Sequence, residues 1–89
     1  MIEFKTKSPD CRVALIERPH PTLADVPQMA AVRVVRDDDG WRCDVAYTTA
    51  GAWLPWEAID DVRYSSATHA EARASTWADG HHFTNIRAV

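Results

Sequence analysis

The stretch Ala31-Val32-Arg33-Val34-Val35-Arg36-Asp37-Asp38-Asp39-Gly40-Trp41-Arg42-Cys43-Asp44-Val45-Ala46-Tyr47 decides how this chain folds. Trp41, Cys43, Val45 and Tyr47 alternate with Arg42, Asp44 and Ala46, the period of a strand with one buried face. A four-residue loop, Asp37 to Gly40, sets Arg36 opposite Trp41, Val34 opposite Cys43 and Val32 opposite Val45. That register collects every strong apolar residue except Val35 on one face, and a slip of one residue would put Arg33 there instead. The three aspartates are therefore read as a hairpin tip, with Gly40 at the position that needs a positive φ. A calcium loop would need further oxygen ligands at alternate positions and a closing glutamate, which are absent.

Working outward, Ile2 to Lys7 alternates as a half-buried strand, with Ile2, Phe4 and Thr6 on one face. Ser8-Pro9-Asp10 turns it into a second strand, Cys11 to Glu17, with Cys11, Val13 and Leu15 sharing a face. Pro19, Pro21 and Pro27 make Arg18 to Gln28 a loop, with one helical turn at Thr22 to Asp25. Beyond the hairpin, Thr48 to Gly51 is a turn and Trp53-Leu54-Pro55-Trp56 a compact apolar segment. A short strand is expected at Asp61 to Tyr64. Ser66 caps the single helix, with Thr68-x-x-Glu71 as a second capping box. Ala67, Ala70, Ala74 and Trp77 give it one apolar face, and Gly80 is expected to stop it. Phe83 to Val89 reads as a last strand. The expected fold is α+β: one domain, residues 1–89, with an antiparallel sheet of four or five strands and one helix, about residues 67–79, on one face.

Composition narrows function. A chain of 89 residues buries a small core and has little room for a deep pocket. The formal net charge is −3, a small acidic protein, which argues against a primary role on phosphate backbones. No apolar run approaches the ~20 residues that cross a membrane, and the N-terminus lacks a signal-peptide core, so a cytoplasmic protein with no membrane partner is expected. Cys11 and Cys43 form no CxxC and read as packing thiols. Fourteen alanines, and eight arginines against two lysines, fit a GC-rich bacterial or phage genome.

Catalytic signals are weak. His81 and His82 point apart if extended, and His69 lies a helix length away, roughly 18 Å by rise per residue. No metal spacing, nucleophile elbow or glycine-rich phosphate loop is present, so no enzyme, no metal and no cofactor is expected. Two surfaces remain. Arg12, Arg33, Arg42 and Arg63 could line a polar sheet face for nucleic acid, interleaved with Asp44 and Asp61. Alternatively Asp37, Asp38, Asp39, Asp60 and Asp61 present acid, while Trp53 and Trp56 cap the core or, if exposed, anchor a partner.

The order hairpin, third strand, Ser-capped helix, in "RDDDGWRCDVAY" followed by "SSATHAEA", resembles the ββα unit of HicB-type antitoxins. It is also similar to small phage anti-CRISPR proteins that set one helix on an antiparallel sheet. The resemblance covers about half the chain and implies a small, acidic, non-catalytic protein that acts by binding. Its expected partner is a protein, such as a basic nucleic-acid-handling complex that it would inhibit. The expected partner-binding residues are Asp37, Asp38, Asp39, Trp53, Trp56, Asp60 and Asp61, and direct nucleic-acid binding through the arginine face is the alternative.

Overall fold

A computed structural model describes residues 2–22, 25–49 and 51–86. Its elements are β1 (Lys5–Ser8), β2 (Cys11–Pro19), β3 (Pro27–Asp37), β4 (Gly40–Thr49), β5 (Ala52–Trp53), β6 (Glu57–Ala58), α1 (Ala67–Gly80) and β7 (Thr84–Asn85). The fold is α+β: a curled antiparallel sheet in the order β1-β2-β3-β4-β5, with β6 added to β4 and β7 to β2, and one helix on one face. Three long strands, β2, β3 and β4, form its centre. Short segments close both margins, so the edge strands among the described residues are short ones.

The central hairpin has the register read from its sequence. Arg36 pairs with Trp41, Val34 with Cys43 and Val32 with Val45. Its loop is tighter than expected, because Asp37 and Gly40 are themselves a pair, leaving Asp38 and Asp39 at the tip. Gly40 has φ +128°, while neither aspartate has a positive φ. A second demand also falls on Gly40: a Cβ there would lie 2.8 Å from the Tyr64 carbonyl oxygen.

Elsewhere the strands depart from expectation. The proline segment is shorter than Arg18 to Gln28, since β2 runs to Pro19 and β3 starts at Pro27, paired across the ladder's end. Prolines are tolerated there because an end position need not donate to the ladder. The helical turn expected at Thr22 to Asp25 falls partly outside the described residues. On β2 the core positions are Ala14 and Ile16, not the Cys11, Val13 and Leu15 set. The first strand begins later than expected: Ile2 is buried and Phe4 half-buried, but pairing with β2 starts at Lys5. Glu3 is held instead by Asn85, whose amide oxygen accepts from Glu3 N at 2.8 Å and whose nitrogen donates to Glu3 O at 3.2 Å. The strand expected at Asp61 to Tyr64 reduces to one bridge, Trp41 to Tyr64, and pairing occurs earlier, at Glu57–Ala58. The last strand is only Thr84–Asn85, and residues 87–89 lie outside the described set.

Ser66 caps α1, its hydroxyl accepting from His69 N at 3.2 Å. Buried Ala67, Ala70, Ala74 and Ala78 let the helix lie close on β3 and β4. Around them pack Val34, Cys43 and Trp41 at one end, and Ile16, Val32 and Phe83 at the other. Gly80 does not stop the helix. The stop is His82, with φ +64°, followed by Phe83. His82 N donates to Asp79 O at 3.1 Å and Phe83 N to Ala78 O at 2.9 Å, the paired bonds of a Schellman motif. Phe83 then stacks on Trp77, ring centroids 5.7 Å apart, supplying the apolar contact such a stop uses.

Candidate functional site

Alternation on the long strands sends one set of side chains to the helix and the other to a face that no helix covers. Cross-strand pairs share a face, so the register maps this open face directly. Leu15 lies beside Ala31, and Ala31 beside Ala46. Val13 lies beside Arg33, and Arg33 beside Asp44. Cys11, Val35 and Arg42 form a third row. Trp53 pairs with Thr48 and so joins the same side. Trp56 follows Pro55 and sets its ring over the Arg33 guanidinium, 4.3 Å from the ring centroid. Leu15 is 48% exposed, Trp53 50% and Trp56 38%.

Beneath Trp56 runs a chain of alternating charge. Asp44, only 4% exposed, accepts from Arg33 Nε at 2.7 Å and from Arg42 Nε at 3.2 Å. Arg42 also reaches Asp37 at 3.7 Å, and Arg63 Nε donates to Asp37 at 2.9 Å. Three guanidiniums thus share two carboxylates, so the arginines are held by neighbours rather than presented free. Arg12 is not part of this set. It is on the helix side, where Nη1 bonds Glu71 Oε1 at 3.0 Å. The expected arginine face is corrected to Arg33, Arg42 and Arg63, each already paired.

The acidic residues divide. Asp37 accepts from Asp39 N at 2.9 Å, and that bond, with Arg63 and Arg42, holds its carboxyl below the usual carboxylate range against the opposing effect of desolvation. Asp60 accepts from Tyr64 Oη at 2.8 Å, Arg73 Nε at 3.1 Å and Val62 N at 3.1 Å. Burial pushes its carboxyl up, but these donors outweigh it and the net direction is down. Asp38, Asp39 and Asp61 are exposed and make no ion pair among the described residues.

The fold strings the seven residues singled out in the sequence along one margin. After the turn at Gly51 the chain runs back beside β4: Ala52 pairs with Thr49, Glu57 with Val45, Ile59 N bonds Cys43 O and Tyr64 N bonds Trp41 O. Trp53 therefore stands at one end of this margin and the Asp38-Asp39 tip at the other, about 30 Å apart at ~3.3 Å per residue. Asp60 and Asp61 lie toward the tip. What the sequence reading lacked was the Arg33–Asp44–Arg42 cluster and Leu15. The hairpin register already places Arg33 opposite Asp44, so the cluster had a signal. Leu15 had none, because both faces of β2 are apolar.

The groups with chemical potential elsewhere are engaged or dispersed. Cys43 is fully buried, its Sγ 3.1 Å from Ala70 O, and burial, with Asp60 nearby, pushes the thiol up to about 11. Such a thiol is a packing group rather than a nucleophile. His69 Nδ1 lies 3.1 Å from Ser65 Oγ, but no carboxylate among the described residues bonds its other nitrogen. His81 stacks on Trp77, ring centroids 4.4 Å apart. No group of three His, Cys, Asp or Glu among the described residues is placed to hold a metal ion, and no described helix is long and apolar enough to cross a membrane.

Comparison with protein-family models, with curated proteins and with solved structures finds no match to this chain. Its functional reading rests on the open face and its margin.

Proposed function

We propose that this protein is a non-catalytic protein-binding module of bacterial or phage origin, acting in the cytoplasm through the open sheet face and its acidic margin. Trp53 and Trp56 are the anchors, and Asp38, Asp39 and Asp61 meet basic side chains of the partner. Asp37 and Asp60 shape the margin while their charges are shared internally. The partner class this surface suits is a nucleic-acid-handling complex whose arginines and lysines normally hold phosphate, as an anti-CRISPR-type inhibitor would engage a CRISPR effector.

The observation that carries the reading is the pair of tryptophans, about half exposed on the one face the helix leaves open. Tryptophan is enriched at interface hot spots, and a small domain gains nothing in stability by leaving two at the surface. The internal pairing of Arg33, Arg42 and Arg63 weighs against the alternative of direct nucleic-acid binding.

The test is target-DNA binding by purified RNA-guided effector complexes in the presence of this protein. Inhibition that Trp53→Ala with Trp56→Ala abolishes, the fold being intact, supports the reading. Salt-dependent binding of the protein itself to DNA or RNA, with no effect of the tryptophans on effector complexes, overturns it.

A further inference from the structure

On the helix side of the sheet α1 covers β3 and β4 and leaves a groove along the β1 margin, about 340 Å³ in volume, between the N-terminal segment and the outer flank of α1. Ile2, Phe4 and Ala72 give it apolar walls, and Arg12, Glu71 and Ser75 supply polar groups. The volume is at the lower end of small-molecule sites.

Ser75 is the reason to read this groove as a site. Among the described residues only Asp44 and Ser75 are polar and buried. Asp44 holds two guanidiniums, whereas the Ser75 hydroxyl, in a residue 8% exposed, has no hydrogen-bond partner among the described residues. The next residue shows what a helical hydroxyl does when nothing else calls on it: Thr76 Oγ1 donates back to Ala72 O at 3.0 Å. Ser75 does not, and its side chain lines the groove. Its oxygen opens only onto the groove, so whatever fills the groove supplies its hydrogen-bond partner.

The two charges choose the ligand. Arg12 gives a single N–H to a single oxygen of Glu71, 3.0 Å apart, and both side chains are partly exposed. The guanidinium keeps donors for a carboxylate, and Glu71 keeps an oxygen for an ammonium. A simple acid would meet Glu71 and a simple amine would meet Arg12, so only a molecule carrying both charges satisfies both. We propose that this groove binds a small apolar α-amino acid as its zwitterion: carboxylate on Arg12 and the Ser75 hydroxyl, ammonium on Glu71, side chain against Ile2, Phe4 and Ala72. The site is on the opposite side of the sheet from Trp53 and Trp56 and is independent of the partner-binding reading.

Backbone amide shifts in the full chain test it, with leucine, leucinamide, isocaproate and isoamylamine as probes. Leucine should produce saturable shifts confined to Ile2–Thr6, Arg12 and Thr68–Ser75. The three analogues, each lacking one charge, should bind about tenfold or more weaker, the worth of a charge-assisted hydrogen bond. Ser75→Ala should leave the melting temperature unchanged or raised and still weaken leucine. Arg12→Gln should remove the preference for leucine over leucinamide. Isocaproate binding as well as leucine would overturn the zwitterion. Absence of saturable shifts with every probe would mean a groove that holds water only.

Discussion

The two faces of the sheet use opposite materials. The helix face is closed with small residues, Ala67, Ala70, Ala74 and Ala78 against Val32, Val34 and Cys43, and its largest ring on the sheet side, Trp41, is 9% exposed. The open face carries Leu15, Trp53 and Trp56 near half exposure, above an ion cluster whose centre, Asp44, is buried. A chain short of core volume has left two of its four tryptophans outside. Burial of apolar area drives both faces, but only one completes that burial within the chain.

The largest expected effect tests this contrast with one residue type. Trp41→Ala removes a ring from the closed face and should cost about 3–5 kcal/mol, enough to unfold so small a domain. Trp56→Ala on the open face loses chiefly the contact with Arg33 and should cost about 1 kcal/mol. Equal losses in chemical denaturation would show that the open face is core in all but name.

The glycines give the next contrast. Gly40→Val combines φ +128° with a Cβ 2.8 Å from the Tyr64 carbonyl oxygen, and that oxygen is held by Trp41 N at 2.9 Å. It should cost about 2–4 kcal/mol. Gly51→Ala, at φ +81° in open space, should cost about 1 kcal/mol, since only the dihedral objects.

Acid should reach the margin before the core. Asp37 and Asp60 have folded values below those of the unfolded chain, so the stability they contribute is fully present above about pH 4. It is lost as the pH falls through the depressed folded values. Thermal melts from pH 7 to pH 3 should be flat and then fall, and Asp60→Asn should flatten that fall.

Much of this was legible because the alternatives were excluded by charge. The β3–β4 register follows from Arg33, which a slip would bury, and the helix start follows from Ser66. The face of β2 was not legible: Cys11, Val13 and Leu15 compete with Ala14 and Ile16, and Arg12, which shares the side of Ala14 and Ile16 and is held there by Glu71, pointed the alternation the wrong way. The β4 margin was obscured by Pro55, which interrupts pairing, so besides its two short strands the segment is tied to β4 at Leu54 N, at Ile59 N and at both the N and O of Tyr64. Asp37 and Asp60 were read as free charges because Arg63 and Arg73 reach them only after folding. The helix stop was misplaced because glycine is the usual left-handed residue, and here a histidine takes that position. His82→Gly should therefore stabilise the domain by about 0.5–1 kcal/mol, read as a higher denaturation midpoint. No gain would mean that the His82 side chain makes a contact offsetting its backbone strain.

The smallest stability effect is expected at the hairpin tip, where the functional stakes are high. Asp38 and Asp39 are exposed, have negative φ, and pair with no arginine among the described residues. Replacing them with Asn and Ser keeps turn chemistry, and Asp39 N still donates to Asp37, so stability should move by no more than about 0.5 kcal/mol. Asp37→Asn is the control, because it removes the charge that Arg42 and Arg63 share and should cost more than the tip pair. Binding separates the two roles. If the tip meets basic side chains, the Asp38, Asp39 pair variant associates more slowly with its partner and shows a flatter salt dependence, with dissociation little changed. Trp53→Ala should do the reverse, speeding dissociation and leaving the salt slope alone, since an aromatic anchor acts after encounter. A tip variant that associates at the parental rate at low salt would take the acid out of the interface and leave the tryptophan face to carry it alone.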